Sequence, residues 1–394
     1  MSIYLDHAAT TPLRREVLDA MLPYLTEAFG NPSSAHAFGR AARAGLDEAH
    51  ERVARCLNVE PREIVFTSGG TEANNLAIKG AAWAGKAHGH RIVTSSVEHH
   101  AVGHTLRYLE KFGFEVVELP VDRYGRVDPD QMEAALTDRT ILVSIMLANN
   151  EVGTIQPVED IAARVRTRKG VLFHVDAVQA APYVDLDLAA LGADLVSLGA
   201  HKFEGPKGVG ALYVRHGTHI LAQQHGGTQE RHRRAGTENV AGAVGLAAAY
   251  DLTCAERPAT VAGLRDGRER LGRAVLEVDG VELTGHPLDR LPGLLSIVAR
   301  GTDGSAVSLS LDLEGIAASV GSACTTGSTE VSHVLTAMGY PEDEARGALR
   351  LSLGRTTTED EVATAVAVVP RVIASMRVAA AAVAIDPLGQ GIGV

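Results

Sequence analysis

The sequence predicts an α/β fold: a large domain with a mainly parallel sheet covered by helices, and a smaller α+β domain. Three observations support this prediction. Short apolar runs recur between residues 64 and 215, helical patterns lie between most of them, and the pattern changes after residue 260. We therefore expect a large domain over residues 15–260 and a small domain formed by residues 1–14 and 261–394.

Seven runs are predicted to be buried strands, because each is short and rich in Val, Ile or Leu. They are IVFTS (64–68), RIVTSS (91–96), FEVVELP (114–120), ILVSIML (141–147), VLFHVDA (171–177), DLVSLGA (194–200) and GALYVR (210–215). Helical patterns between them include TEANNLAIKGAAWAGK, DPDQMEAALTD and VEDIAARVRTR. Strands that alternate with helices indicate parallel pairing, although they do not give the strand order.

The small domain has its own set of predicted elements. A helix is predicted over residues 262–280, an edge strand at VELTG, and further strands at PGLLSIVAR and ALRLSLG. A closing helix is predicted over residues 357–377, where TTED provides the polar start and acidic first turn of a helix. The last segment, AVAIDPLGQGIGV (382–394), is predicted to be a loose tail.

Composition excludes several classes of function. The 37 Lys and Arg residues against 48 Asp and Glu give a net charge of −11, which argues against nucleic acid as a partner. The short basic cluster at 231–234 is either a solvated loop or an anion site. Three cysteines without framework spacing do not indicate a disulfide-stapled secreted protein. No signal peptide and no apolar run of about 18 residues is evident. We expect a cytoplasmic protein without a membrane anchor.

Polar segments follow five of the predicted strands at the point where each strand ends. They are SGGTEANN (68–75), VEHHA (97–101), ANNEVG (148–153), DAVQ (176–179) and AHKFEGPKG (200–208). Ligands of open α/β sheets bind beyond the carboxyl ends of the strands. The five segments therefore predict one assembled site at one sheet edge.

The segment SGGTE is a glycine turn that opens a helix. Its backbone N–H groups and the Thr71 hydroxyl could hold a phosphate at the helix N-terminus. A plain helix cap is an equally good interpretation of these residues alone. The segment is neither a P-loop nor a dinucleotide fingerprint, because Gly-Lys-Ser/Thr and G-x-G-x-x-G are both missing.

Asp176 and Lys202 each lie beyond an apolar strand. A buried carboxylate such as that of Asp176 needs a cation or several hydrogen-bond donors, and a protonated pyridine nitrogen would be such a cation. The alternative is that Asp176 caps a helix or forms a structural ion pair. A partly buried lysine can act as an amine nucleophile, with a surface lysine as the alternative. Together with a phosphate cradle, the two residues point to pyridoxal phosphate, which forms a Schiff base with a lysine.

Three histidines follow the second strand. His99 could stack on a cofactor ring or move protons, and a satisfied core histidine is the alternative. His100 and His104 have the i,i+4 spacing that zinc could use. No third ligand is evident, so no metal site is predicted.

Cys324 lies in SVGSACTTGSTE (319–330), a segment of small polar residues and glycine. An incidental exposed cysteine is one interpretation, and a reactive thiolate on a mobile loop is the other. Cys56 and Cys254 lie in or beside helical patterns and are interpreted as structural.

Taken together, these motifs resemble those of the cysteine desulfurases, in the class V aminotransferase branch of the pyridoxal phosphate enzymes. The match extends from YLDHAATTP to RLSLGRTTTEDE and includes EIVFTSGGTEANNLAIKG, HVDAVQ, AHKFEGPKGVGALYVR, HGGTQERHRRAGTENVAG and GSACTTGSTEVSHVL. The resemblance implies the type I fold of these enzymes and pyridoxal 5'-phosphate as cofactor. It also implies the conversion of L-cysteine to L-alanine.

The resemblance assigns roles to residues of this chain. It assigns catalysis to Cys324, Lys202 and His99. It assigns cofactor binding to Gly70, Thr71, Asn150, Asp176, Gln179, His201, Lys202 and Thr237. It assigns substrate binding to Asn150 and Arg350, with Arg350 holding the substrate carboxylate as a bidentate pair.

Several of these roles are specific. Lys202 matches the Schiff-base lysine, Asp176 the partner of the pyridinium nitrogen, and Gln179 the donor to the ring hydroxyl. His99 matches the stacking and acid–base histidine. Thr237 matches a phosphate ligand that is donated across a homodimer interface.

Cys324 matches the cysteine that accepts sulfur as a persulfide. The resemblance also implies that the persulfide sulfur then passes to an acceptor protein, either an iron–sulfur scaffold or a tRNA-thiolating enzyme. The longer loop form resembles the class that passes sulfur to scaffold proteins. The alternatives are a selenocysteine lyase, a C–S β-lyase, or a non-catalytic scaffold on a decayed enzyme fold.

Several positions depart from the family pattern, and Val320, where a serine is common, is a mild change. Gly199 stands where many relatives have a serine whose hydroxyl binds the phosphate, so one donor is missing here. Glu204 adds an acid close to Lys202, and the sequence offers no account of it.

Overall fold

The computed structural model of the protein describes residues 2–321 and 331–385. Its strands are β1 (Ile3–Tyr4), β2 (Ile64–Thr67), β3 (Arg91–Ser95), β4 (Glu115–Leu119), β5 (Thr140–Met146), β6 (Leu172–Asp176), β7 (Leu195–Gly199), β8 (Gly210–Val214), β9 (Val281–Leu283), β10 (Leu294–Ala299), β11 (Ile316–Ala317) and β12 (Ala348–Ser352). Its α-helices are α1 (Arg15–Thr26), α2 (Ala37–Cys56), α3 (Gly70–Gly85), α4 (His100–Glu110), α5 (Pro129–Ala135), α6 (Val158–Val165), α7 (Leu188–Leu191), α8 (Val240–Leu276), α9 (Gly304–Leu313), α10 (His333–Ala337), α11 (Glu342–Ala345) and α12 (Glu359–Ile385). Short 3-10 helices lie at Pro61–Glu63, Ala200–Lys202 and Gln229–His232.

The central sheet has seven strands in the order β2-β8-β7-β6-β5-β3-β4. The strands from β4 to β7 pair in parallel, whereas β8 is antiparallel to both β7 and β2. Every residue of β5 is buried, as expected for a strand covered on both faces. The predicted mainly parallel sheet is confirmed.

Helices cover both faces of this sheet. Side chains of α3 and α4, such as Leu76 and Leu106, form one core with β3, β5 and β8. Side chains of α2, α6 and α8, such as Leu46 and Ile161, form a second core on the other face. The covering helices leave the carboxyl ends of the strands as the open edge of the sheet.

Two further sheets lie outside the central one. β12, β10 and β9 form an antiparallel sheet in which β9 is an edge strand, as predicted for VELTG. β1 pairs in parallel with β11, so residues 3–4 contact residues 316–317. A separate core of α9, α12, β10, β12 and the second half of α8 supports this part of the fold.

Two helices differ from their predicted bounds. α8 begins at Val240, 22 residues before the predicted start at residue 262. The prediction missed this part because residues 240–250 are buried on all sides and show no amphipathic period. α12 continues to Ile385, so the prediction of a loose tail is wrong for residues 382–385, which follow an alanine-rich run that favours helix. Residues 386–394 lie outside the described part. Within the described residues, no helix has the length and apolar character that a bilayer span requires.

Candidate active site

A cavity of about 620 Å³ lies at the carboxyl edge of the central sheet. Among the residues that line it are Gly70, Thr71, His99, Asn150, Asp176, Gln179, His201, Lys202 and Arg350. The structure therefore brings together residues from all five polar segments singled out in the sequence. Arg350 comes from β12, and His333 and Gly321 join the lining from the same C-terminal part.

The turn between β2 and α3 forms one wall of the cavity. Gly69 has a φ of +151°, a conformation that residues with a side chain rarely adopt. A Cβ on Gly70 would lie 2.5 Å from Val178 Cγ2, so this position has no room for a side chain. The first N–H groups of a helix have no hydrogen-bond partner within the helix. In α3 these groups lie in the same turn as the Thr71 hydroxyl. This wall has the donors that an anion requires.

Asp176 is the last residue of β6 and is only 5% exposed. Its Oδ2 accepts a hydrogen bond from Asn74 Nδ2 at 2.6 Å, and its Oδ1 accepts one from the Val178 N–H at 3.0 Å. Both donors are neutral. The negative charge of the carboxylate is thus held in place and available to a cationic ligand.

Two buried side-chain oxygens beside Asp176 lack hydrogen-bond partners among the described residues. They are Gln179 Oε1 and Asn74 Oδ1. Both residues line the cavity. Buried polar atoms normally have a partner, so this corner of the cavity has the character of a ligand site.

Lys202 follows β7 and ends the short 3-10 helix at Ala200–Lys202. Its Nζ donates to the Ala9 carbonyl at 3.0 Å and also to the Ala8 carbonyl. The Thr11 hydroxyl and N–H both donate to the His201 carbonyl, at 2.8 and 3.0 Å. The N-terminal segment therefore fixes the lysine loop and holds its amine inside the cavity.

His99 caps the N-terminus of α4. Its Nδ1 accepts a hydrogen bond from the Ala101 N–H at 3.1 Å, which fixes the ring orientation. Burial lowers the pKa of His99, and this effect exceeds the opposing attraction of Asp176. Burial likewise lowers the pKa of His201 to about 4, assisted by Lys202. Both imidazoles are therefore neutral near pH 7.

Arg350 is 2% exposed and links three parts of the chain. It donates to the Asn150 carbonyl at 2.9 Å and to the Asp6 carboxylate at 2.9 Å. Its buried Nε has no hydrogen-bond partner among the described residues. The guanidinium thus retains donor capacity at the cavity wall.

Sequence reasoning missed two polar residues close to Asp176 and His99. Asn74, the donor to Asp176, was within the quoted segment SGGTEANN, one helical turn after Gly70. Glu98 is buried beside His99 and accepts hydrogen bonds from the Ser95 hydroxyl at 2.6 Å and the Met146 N–H at 2.9 Å. Burial raises the pKa of Glu98 to about 8. The available signal was an acidic residue placed directly after a buried strand.

One predicted site residue does not line the cavity, and another lies in a part of the chain that the structure does not describe. Thr237 is exposed and does not line the cavity. Cys324 lies outside the described residues. The rings of His100 and His104 stack with their centroids 5.0 Å apart. Within residues 2–321 and 331–385, no group of three or more His, Cys, Asp and Glu side chains is arranged to hold a metal ion.

The structure accounts for Glu204, which the sequence left unexplained. Its carboxylate accepts hydrogen bonds from Arg355 at 2.7 and 3.2 Å and lies 3.8 Å from Arg14. It does not line the cavity. The acid near Lys202 therefore serves an ion-pair cluster that joins the lysine loop to the chain after β12.

Comparison with known proteins assigns the chain to a family. The family model described as aminotransferase class-V matches residues 3–364. The chain belongs to the class-V aminotransferase family. Relatives within it include proteins named cysteine desulfurase IscS from Methanosarcina thermophila, 49% identical, and Dictyoglomus turgidum, 47% identical. Each alignment covers 95% of this chain and 93% or 95% of the relative.

Solved structures of the family have the same fold. A NifS-like protein superposes with a TM-score of 0.90 at 38% identity, covering 95% of this chain and all of that one. A NifS-like protein from Rickettsia africae superposes with a TM-score of 0.85 at 30% identity, covering 94% of this chain and 99% of that one. The class-V fold thus extends over nearly the whole chain.

Proposed function

We propose that this protein is a pyridoxal phosphate-dependent cysteine desulfurase, which converts L-cysteine to L-alanine and collects the sulfur as a persulfide on Cys324. One observation carries the proposal: an amine, a strand-end carboxylate with neutral partners and an anion-binding helix terminus face one cavity. Relatives named cysteine desulfurase, at 47–49% identity over 95% of the chain, support the same chemistry.

The cavity residues fit pyridoxal phosphate. The N–H groups at the start of α3, with Thr71 and His201, would hold the phosphate. Asp176 would pair with the protonated ring nitrogen, and the side-chain N–H of Gln179 would donate to the ring hydroxyl. Lys202 would attach the cofactor through its amine, and His99 would lie against the ring. When bound, the cofactor supplies an electron sink for a substrate carbanion.

The chain's own groups would then handle substrate and protons. Arg350 binds the substrate carboxylate at the wall formed by Asn150, where its guanidinium has donor capacity left. Lys202 accepts the α-proton, because its amine is the base that the cavity holds on a short, fixed loop. His99 is neutral near pH 7 and exchanges protons with the reacting groups.

Sulfur transfer completes the reaction. The Cys324 thiolate attacks the sulfur of the substrate, the carbon–sulfur bond breaks, and a sulfur–sulfur bond forms on Cys324. The substrate carbon gains a proton, so L-cysteine and one protein thiol give L-alanine and one protein persulfide. Neither an external oxidant nor a reductant is required.

Replacement of Cys324 tests the proposal. Cys324→Ser is expected to abolish persulfide formation and alanine release, while the visible absorbance of the bound cofactor is retained. Peptide mass spectrometry after addition of L-cysteine locates any extra sulfur. Cys56→Ser is the matched control and should load Cys324 normally. Sulfide release at an unchanged rate by Cys324→Ser would make the protein a β-lyase and reject the proposal.

A second prediction concerns the phosphate donor missing at Gly199. Gly199→Ser is expected to tighten cofactor binding by about 2- to 10-fold, the effect of one added hydrogen bond of roughly 0.5–1.5 kcal/mol. The new Cβ would lie 3.2 Å from Val178 Cγ1, which requires a small shift. Gly199→Ala has the same Cβ without the hydroxyl. Equal cofactor affinity in the two variants, measured by equilibrium titration, would show that the hydroxyl does not reach the phosphate.

A homodimer is part of the proposal. Thr237 is exposed and does not line the cavity of its own chain, so we assign its phosphate contact to a second copy. Arg234, three residues earlier, pairs with Glu72 of α3 at 3.0 Å and brings this loop close to the phosphate wall. A monomer in sedimentation experiments that binds the cofactor with full affinity would contradict this arrangement.

We further propose that the persulfide passes to an acceptor protein, either an iron–sulfur scaffold or a tRNA-thiolating enzyme, in the cytoplasm. The relatives' names and the negative net charge of −11 support a protein acceptor over direct action on nucleic acid. The proposed domain division assigns residues 15–260 to the cofactor and residues 1–14 and 261–394 to the part that carries Arg350 and Cys324.

A further inference from the structure

We propose that Cys56 and Cys254 form a second thiol site, separate from the cavity, in which a peroxide oxidises the pair to a reversible disulfide. No motif in the sequence connects these two cysteines, which lie 198 positions apart. Neither residue lines the cavity. The inference rests on the packing of α2 against α8 and is independent of the proposed function.

The two thiols are held in one polar cluster between α2 and α8. Cys56 Sγ donates to Asp251 Oδ1 at 3.0 Å, and Asp251 lies one helical turn before Cys254 on α8. Cys56 and Cys254 are direct neighbours in this cluster, and each thiol is the main influence on the pKa of the other. Arg52 of α2 fixes Asp251 through a contact of 2.5 Å. Both cysteines are partly exposed, so a small oxidant can reach them.

The two thiols differ in electrostatic environment. Arg257 Nη2 donates to Cys254 Sγ at 3.2 Å. The neighbouring Cys56 thiol and the charge of Arg257 lower the pKa of the Cys254 thiol to about 7. The neighbouring Cys254 thiol, together with burial and Asp251, raises the pKa of Cys56. Cys254 is therefore the nucleophile of the pair and Cys56 the protonated partner.

Disulfide formation requires the two sulfurs to move to a bonding distance of about 2 Å. Cys56 is the last residue of α2, and the following turn contains Asn58 at a φ of +54°. Pro258 has no N–H, so the Cys254 carbonyl lacks its helical partner at this turn of α8. The backbone at each cysteine therefore has fewer helical hydrogen bonds to oppose a small movement of the sulfurs.

The oxidation balances with hydrogen peroxide as the oxidant. The Cys254 thiolate attacks the peroxide, the O–O bond breaks, and a sulfenic acid forms with release of water. The Cys56 sulfur then attacks the sulfenic sulfur and passes its proton by way of Asp251. A sulfur–sulfur bond forms, the S–O bond breaks, and a second water leaves. Two thiols thereby donate two electrons to one peroxide.

Peptide mapping of the oxidised protein tests the site. The full-length chain loaded with pyridoxal phosphate is used with Cys324→Ser, so that the third cysteine cannot form mixed disulfides. After hydrogen peroxide treatment and digestion without reductant, we expect a linked Cys56–Cys254 peptide whose mass is lower by two hydrogens. Dithiothreitol should restore both thiols.

The Cys56→Ala variant provides the control in the same background. Iodoacetamide should label Cys254 about tenfold more slowly at pH 7 than when Cys56 is present, because the neighbouring thiol that lowers the pKa of Cys254 is gone. Peroxide should then carry Cys254 to the sulfinic acid, since no resolving thiol remains. Unlinked sulfinic acids on both cysteines when Cys56 is present, or labelling of Cys254 that ignores Cys56, would overturn the proposal.

Discussion

Lys202→Ala is expected to lower kcat by about 10⁴-fold or more, because one amine both attaches the cofactor and accepts the α-proton. The Nζ of Lys202 is held inside the cavity by the Ala8 and Ala9 carbonyls, and alanine at this position has no amine to perform either role. Alanine release under saturating L-cysteine measures the loss. The visible band of the covalently attached cofactor should disappear as well.

Lys207→Ala is the matched control for Lys202. Lys207 belongs to the same loop and is exposed, so its replacement should change kcat by no more than about tenfold. Added small primary amines should partly restore the turnover of Lys202→Ala, because they can act as a free base in the vacated space. Equal turnover in Lys202→Ala and Lys207→Ala would remove Lys202 from the mechanism.

Asp176→Asn is expected to lower kcat by about 10²–10⁴-fold, the effect of removing one partner of a buried charge pair worth roughly 3–5 kcal/mol. The side chain is nearly isosteric, but it is neutral and cannot hold a cationic ring nitrogen. The new amide also has an NH2 group in place of one of the two oxygens that accept from Asn74 Nδ2 and the Val178 N–H, so one of these donors loses its acceptor. Exchange of the substrate α-proton with deuterated solvent measures the step that should fail.

Asn74→Ala separates charge from positioning. It removes the 2.6 Å hydrogen bond to Asp176 and leaves the carboxylate, so the loss should be much smaller, within about tenfold. Cofactor titration confirms that each variant is fully loaded before its rate is compared. If Asp176→Asn exchanged the α-proton as fast as Asn74→Ala, the charge of Asp176 would not matter for the reaction.

Much of the central sheet could be predicted because most of its strands are rich in Val, Ile and Leu. A strand that is covered on both faces contains mostly apolar residues, and β5 is such a strand. The first half of α8 escaped prediction for the same physical reason. A helix that is buried on all sides has no amphipathic period, and its residues 240–250 resemble any other apolar segment.

The candidate site could be predicted where it depends on strand ends, and missed where it depends on distant contacts. The ends of parallel strands necessarily share an edge, which brings Asp176 and Lys202 together. By contrast, the pairing of Asp6 with Arg350 joins residues 344 positions apart. Nothing local in either segment indicates that partner. The same holds for Cys56 and Asp251, which meet only because α2 packs on α8.

The N-terminal segment has a consequence for the order in which the molecule is completed. Asp6 bonds Arg350, the Ala8 N–H donates to the Ser352 hydroxyl at 2.8 Å, and Ala8 and Ala9 hold Lys202. A polypeptide leaves the ribosome N-terminus first. Residues 6–9 are therefore synthesised before their partners on β12, which lie 344 positions later in the chain. The cavity can reach its final form only after β12 has been synthesised, so we expect the cofactor to be captured after that point.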